Sequence, residues 1–215
     1  MAELQPRFEY RVWADTLEDV RNNLQRLATA PRTETSEETY LISATTDKCN
    51  AKIRGGRFSI KARLAMEQGL ELWKPVFEAE FPLDSSLIAA QIFPGLELRA
   101  PELHRPRYSV DEFVREVIRA QPQMAIVTTL KRRAPFRLDE CLAEFTSVTI
   151  GKVARDTVAV ESIEPDPVLR LIHQLQIAGM PNTSYIRLLK QILGDGTNSA
   201  FSSMPVRQTP PREGA

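Results

Sequence analysis

Polar and apolar residues alternate with a period of two over most of this chain, and only strands place successive side chains on opposite faces in that way. Between Glu38 and Leu83 four such runs follow one another: "ETYLISATT", "CNAKIR", "GRFSIKARL" and "LELWKPVFEAEF". Gly55 and Gly56 supply the tight turn between the second and third. A second series, "MAIVTTLKRRAPF", "RLDECLAEFTSVTI" and "DTVAVESIE", fills the later half, and "RFEYRVWA" (Arg7 to Ala14) opens the chain. The pattern predicts an α+β protein on an antiparallel sheet of about eight strands, a size that can curl into a closed or nearly closed barrel.

Helical periodicity is confined to the gaps. Asp15 with Glu18 reads as a capping box for a helix with Leu17, Val20, Leu24 and Leu27 on its apolar face. The connector between the two strand series carries a short helix at Ser85 to Ile92 and a clearer one at Asp111 to Ala120. Two more helices follow the last strand, one from the Asp166-Pro167 cap and one from Ser184 to Gly194. Residues 1–195 therefore read as one domain. Residues 196–215, small, polar and Pro-rich, have little to bury and read as a disordered tail.

Lys plus Arg (28) and Asp plus Glu (28) cancel, so any anion site must be local. Cations do cluster locally: Lys52 with Arg54, Lys61 with Arg63, and Lys131 with Arg133 and Arg137 sit at strand spacing, each set on one face. Acids recur at the same spacing, as Glu78 and Glu80 in "FEAEF" and as Glu9, Glu144 and Glu161 in otherwise apolar strands. On a half-exposed sheet such residues also form ordinary solvated faces. Glu78 and Glu80 fit ion pairs with neighbouring strands as well as they fit a lumen, and Glu9 between Arg7 and Arg11 fits an intrastrand ion pair. If the faces turn inward, Lys and Arg can donate to several phosphate oxygens, while carboxylates can hold a divalent cation that bridges to phosphate.

Taken in order, "RFEYR", "AKIR", "FSIKARL", "FEAEF", "TTLKRRAPFRLD", "VAVESIE" and "TSYIRLLKQ" resemble the CYTH superfamily, the triphosphate tunnel metalloenzymes, over about residues 5–194. The resemblance implies a β-tunnel that hydrolyses inorganic triphosphate or a small organic triphosphate with Mg2+ or Mn2+. It implies phosphate contacts at Lys52, Arg54, Lys61, Lys131 and Arg133, with Arg63 and Arg137 as further candidates. Glu9, Arg11 and Lys61 would be catalytic; Glu78, Glu80, Glu161 and Glu144 would be metal ligands, with Glu9 and Asp139 also considered. Two departures stand out: the family's ExExK strand is here Arg7, Glu9 and Arg11, and Ala159 stands two residues before Glu161. A charge reversal at Arg7 favours holding an anion over recruiting a metal, so the alternative is a non-catalytic polyphosphate or nucleotide binder acting as sensor or scaffold.

Cys49 and Cys141 have neither zinc-ligand spacing nor a disulfide framework, and no apolar run is long enough to cross a membrane, which predicts a cytoplasmic protein with no membrane partner. The cationic strands lack the interleaved aromatics of a nucleic-acid stacking platform, so no specific nucleic-acid partner is expected. Phe58 and Trp73 read as core and His104 as part of an exposed connector.

Overall fold

A computed structural model describes residues 5–28 and 32–195, and the expected tail lies outside them. Eight strands close into an antiparallel barrel: β1 (Arg7–Ala14), β2 (Glu34–Ser43), β3 (Cys49–Arg54), β4 (Arg57–Glu67), β5 (Leu70–Glu80), β8 (Met124–Leu138), β9 (Cys141–Ile150) and β10 (Val153–Ser162), in the spatial order β1-β10-β9-β8-β2-β3-β4-β5. Two-residue strands β6 (Leu83–Asp84) and β7 (Arg107–Tyr108) pair with each other beside it. The helices are α1 (Glu18–Leu27), α2 (residues 85–95, π-helical at Ile88–Ile92), α3 (residues 110–118, π-helical at Phe113–Ile118), α4 (Pro165–Gln174) and α5 (Tyr185–Asp195).

The two faces of each strand do different work. Outward residues of β1, β9 and β10, among them Tyr10, Val12, Phe145, Val158 and Val160, pack against Val20 and Leu24 of α1 and Leu171 and Ile172 of α4. Leu41, Ala51, Ile53, Phe58 and Ile60 on β2 to β4 pack against Ile88, Ile92 and Phe93 of α2 and Phe113 and Val117 of α3. Tyr40 and Ile42, which flank Leu41, therefore point inward. There they join Ala125, Val127, Val148 and Ile150 in a third core closed by Tyr185, Ile186 and Leu189 of α5. One end of the lumen is thus filled by the C-terminal helix.

Several boundaries differ from the sequence reading for local reasons. β2 begins at Glu34, because its polar residues Glu34 and Ser36 pair with Arg133 and Lys131 of β8. β8 runs through Arg137 to Leu138, and the turn falls at Asp139, whose φ is +44°. The expected Asp15–Glu18 box does not form. Leu17 is the cap residue, its N–H donates to Asp156 Oδ2 at 3.1 Å, and Asp15 pairs with Arg155. A capping box does form on α3, between Ser109 and Glu112. Gly55 and Gly56 have φ of +56° and +74°, as the β3–β4 turn requires. Phe58 and Trp73 are buried, and His104 is exposed.

The barrel's seam is between β1 and β5, which pair over three residues only, Arg7 to Glu9 with Trp73 to Glu71. Beyond that point the segment before α5 takes over. Asn182 Oδ1 accepts from Arg11 N at 2.9 Å, Asn182 Nδ2 donates to Gly69 O at 2.8 Å, and Thr183 N donates to Arg11 O at 2.8 Å. Backbone groups of β1 that β5 leaves unpaired are satisfied in this way.

Candidate functional site

Glu38 of β2 shares the inward face of Tyr40 and has no solvent exposure. Because β2 runs between β3 and β8, Lys52 and Arg54 reach it from one side and Lys131 and Arg133 from the other. Its Oε2 accepts from Lys52 Nζ at 3.0 Å, Lys131 Nζ at 2.8 Å and Tyr40 OH at 3.1 Å. Its Oε1 is held less tightly, by Arg54 Nη1 at 3.4 Å and Arg133 Nη1 at 3.9 Å. Lys131 Nζ also donates to Tyr40 OH at 2.6 Å and stands 3.7 Å from the centre of the Tyr185 ring.

Burial and charge oppose each other in this cluster. Burial by itself would raise the Glu38 carboxyl, but Lys52 and Lys131 outweigh it and hold the group far below the usual carboxylate range. Burial pushes Lys131 down to about 7 in spite of Glu38, and it lowers Lys52 as well. The Lys131 ammonium is therefore marginal near neutrality.

On the opposite wall Glu9 of β1 stands across from Glu161 of β10. Glu9 accepts from Arg11 Nε at 2.8 Å, and Arg11 and Lys61 overcome the effect of burial to lower its pKa. Glu161 goes the other way, raised first by burial and then by the Glu9 charge. Lys61 acts on both carboxylates. Arg11 also donates to Thr157 Oγ1 at 3.4 Å and lies 4.7 Å over the Tyr185 ring.

The remaining expected residues are dispersed. Arg63 is taken up by Glu71 at 2.7 Å and Asp47 at 3.0 Å. Arg57 grips Glu78 and Glu80, each at 2.7 Å, with all three side chains exposed, which is the cross-strand ion-pair arrangement. Glu144 accepts from Thr146 Oγ1 at 2.9 Å and lies 3.9 Å from Arg133. Arg137 is exposed, and Asp139 lies in the β8–β9 turn.

Mg2+ or Mn2+ needs several oxygen ligands converging on one point. Among the described residues no three His, Cys, Asp or Glu side chains are placed to hold a metal ion. The expected set of Glu78, Glu80, Glu144 and Glu161 is not brought to one point: Arg57 pairs with the first two on β5, while Glu144 and Glu161 lie on the paired strands β9 and β10. Glu9, the surviving acid of the first strand, is paired with Arg11. The donor set does not fit a resident divalent cation.

What the lumen does offer is unsatisfied hydrogen-bonding capacity. Ser36 Oγ, Asn50 Oδ1, Arg133 Nε and Tyr185 OH are buried without a partner. Ser36 stands opposite Lys131, and Asn50 opposite Lys61, on the same inward faces. Sequence reasoning missed Glu38, Tyr40, Glu71, Tyr185 and Arg187. Glu71 is buried at 1% exposure and accepts from Arg63, Arg187 and Trp73 Nε1, tying α5 to β4 and β5. The signal for Glu38 and Glu71 was available: each lies two residues before an inward aromatic, Tyr40 and Trp73, and so shares its face. Cys49 and Cys141 are buried free thiols whose pKa values burial raises, Cys49 to about 12, which leaves them unreactive. No helix among the described residues is long and apolar enough to cross a membrane.

No protein-family model and no curated protein matches the sequence. Solved structures do match the fold. A putative adenylate cyclase from Bacillus halodurans aligns with a TM-score of 0.51 at 11% identity, over 86% of this chain and 97% of that one. The PH1012 protein of Pyrococcus horikoshii aligns at 0.49 and 17% identity, over 84% and 98%. A putative adenylyl cyclase from Hippeastrum, described as having a dominant triphosphatase activity, aligns at 0.48 and 14% identity, over 86% and 95%. Eight antiparallel strands close around a charged lumen, and the chain shares this fold with the Bacillus halodurans protein, in line with the β-tunnel expected from the sequence.

Proposed function

We propose that the tunnel binds inorganic triphosphate, or the triphosphate group of a small organic molecule, without a resident metal. The observation that carries this reading is the convergence of Lys52, Arg54, Lys131 and Arg133 from two strands onto one buried carboxylate, Glu38. Lys and Arg donors brought together in this way form charge-assisted hydrogen bonds with phosphate oxygens, and Arg can do so with two parallel bonds. The partnerless Arg133 Nε, Ser36 Oγ and Tyr185 OH supply further donors. Because metal ligands do not converge, the charge of the anion has to be met by the protein's own cations.

Hydrolysis of the bound anion by a metal-dependent phosphohydrolase is the second reading, as the resemblance implies. Glu161 favours the hydrolytic part of it: a carboxyl raised by burial beside Glu9 can take a proton from water. The donor set does not favour the metal-dependent part.

Calorimetric titration with tripolyphosphate, in EDTA and then in Mg2+ or Mn2+, tests the first reading. Binding in EDTA is expected, weakened at least about tenfold in Arg133→Ala, the scale of one lost charge-assisted hydrogen bond. Absence of binding under both conditions would remove the proposal. Phosphate release from tripolyphosphate, ATP or thiamine triphosphate, lost in Glu161→Gln, would establish the second reading.

A further inference from the structure

We propose that Glu38 is the positioning residue of the cationic cage: one buried carboxylate fixes the ammonium groups of Lys52 and Lys131 and leaves the guanidinium groups of Arg54 and Arg133 able to turn onto phosphate. The division follows from its two oxygens. Oε2 is saturated by three short hydrogen bonds, two from lysines on opposite sides of β2 and one from Tyr40. Oε1 holds only the two arginines, at 3.4 and 3.9 Å, and Arg133 has a buried Nε with no acceptor. An incoming anion therefore competes with Glu38 for the arginines, whereas the lysines keep their anchor.

The carboxylate also decides whether the cage is charged. Lys131 is 3% exposed. It faces Glu38 and Tyr40 on β2, Lys52 on β3, Arg11 on β1 and Tyr185 on α5, and Glu144 on β9 reaches the cluster through Arg133. Lys52 and Arg11 are like charges, and both tyrosines are neutral near pH 7 because burial raises them. Glu38 is thus the one anion hydrogen-bonded to Lys131. Without it, desolvation and two neighbouring cations drive the proton off. A tunnel lacking Glu38 would carry fewer positive charges to meet a ligand, although an acid had been removed.

The test compares wild type with Glu38→Gln, which keeps the shape and loses the charge, and with Glu38→Asp, which keeps the charge. In the ligand-free proteins the Lys131 side chain is followed by its 13Cε shift against pH, assigned by its absence from Lys131→Met. In Glu38→Gln the titration should move to lower pH by about one unit or more, a tenfold change in proton affinity. In Glu38→Asp it should return towards wild type. The same shift should be seen in the pH at which tripolyphosphate affinity falls, since the ligand's own protonation is common to all three proteins.

The affinity arm rests on the phosphate reading of the tunnel; the ligand-free arm does not. Wild type that binds no tripolyphosphate at any pH would remove that reading and leave the Lys131 titration to decide the role of Glu38. An unchanged Lys131 titration in Glu38→Gln would overturn the proposal whether or not the anion binds. If Glu38→Gln does not fold, Tyr40→Phe takes its place. It keeps the Glu38 charge but removes one of the three Oε2 bonds and the hydroxyl that accepts from Lys131 at 2.6 Å, so the Lys131 midpoint should fall by no more than about half a unit. A drop of about one unit there would assign the effect to the tyrosine instead.

Discussion

Glu71 is the second fully enclosed acid of this barrel, and it differs from Glu38 in what it joins. Its partners are Arg63 of β4, Trp73 of β5 and Arg187 of α5, so the carboxylate holds a helix to a sheet. Removing one member of a buried ion pair leaves the others desolvated and unpaired, a larger loss than the pair's own net stabilisation. Glu71→Gln should therefore destabilise the fold by about 3 kcal/mol, read from the urea midpoint; a loss below about 1 kcal/mol would mean that water replaces the carboxylate. The exposed triad Arg57, Glu78 and Glu80 makes the opposite case. Its bonds are just as short, yet solvent screens them. Arg57→Ala should leave the melting temperature unchanged within error.

At the level of elements, α5 shows why part of the site was hidden in the sequence. Its apolar periodicity identifies a helix with one buried face, but periodicity does not say whether that face covers the outside of a sheet or fills the inside. Tyr185 fills the inside, stacked on Tyr40 at 5.3 Å and edge-on to Trp13 at 4.7 Å, with an OH that has no partner. Tyr185→Phe should hold or raise stability by up to about 1 kcal/mol, because it deletes a buried unsatisfied group, whereas Tyr185→Ala should cost about 3–5 kcal/mol. Thermal melts of both separate packing from polarity; a clear loss in Tyr185→Phe would mean that the hydroxyl has a partner after all. Glu38 was hidden for a related reason. Its face was legible from Tyr40, but the strands beside it were not, since β2 meets β8 across 91 residues between Tyr40 and Lys131. The basic pairs, by contrast, were legible at once, because strand alternation is a local property. The carboxylates misled for that same reason: spacing gives a face, but it does not reveal that Arg57 already holds Glu78 and Glu80.

The whole molecule should report its interior through pH. The folded-state pKa of Lys131 lies near 7, below the ordinary lysine value of about 10.4. Between those two values the unfolded chain binds a proton that the folded chain does not, so stability rises with pH across that window. Lys52 is lowered in the same direction and adds to the slope. Urea midpoints from pH 7 to pH 9.5 should climb in the wild type and climb less in Lys131→Met; equal slopes would remove Lys131 as the cause. The barrel architecture itself was readable because eight alternating strands leave few other ways to bury two sets of faces.

The seam carries a consequence for how the molecule comes into being. Arg11 finds the groups that complete its backbone bonding 171 residues further along the chain, at Asn182 and at Thr183 beside it. Synthesis runs from β1 towards α5, so this edge of β1 stays open until that distant segment has been made.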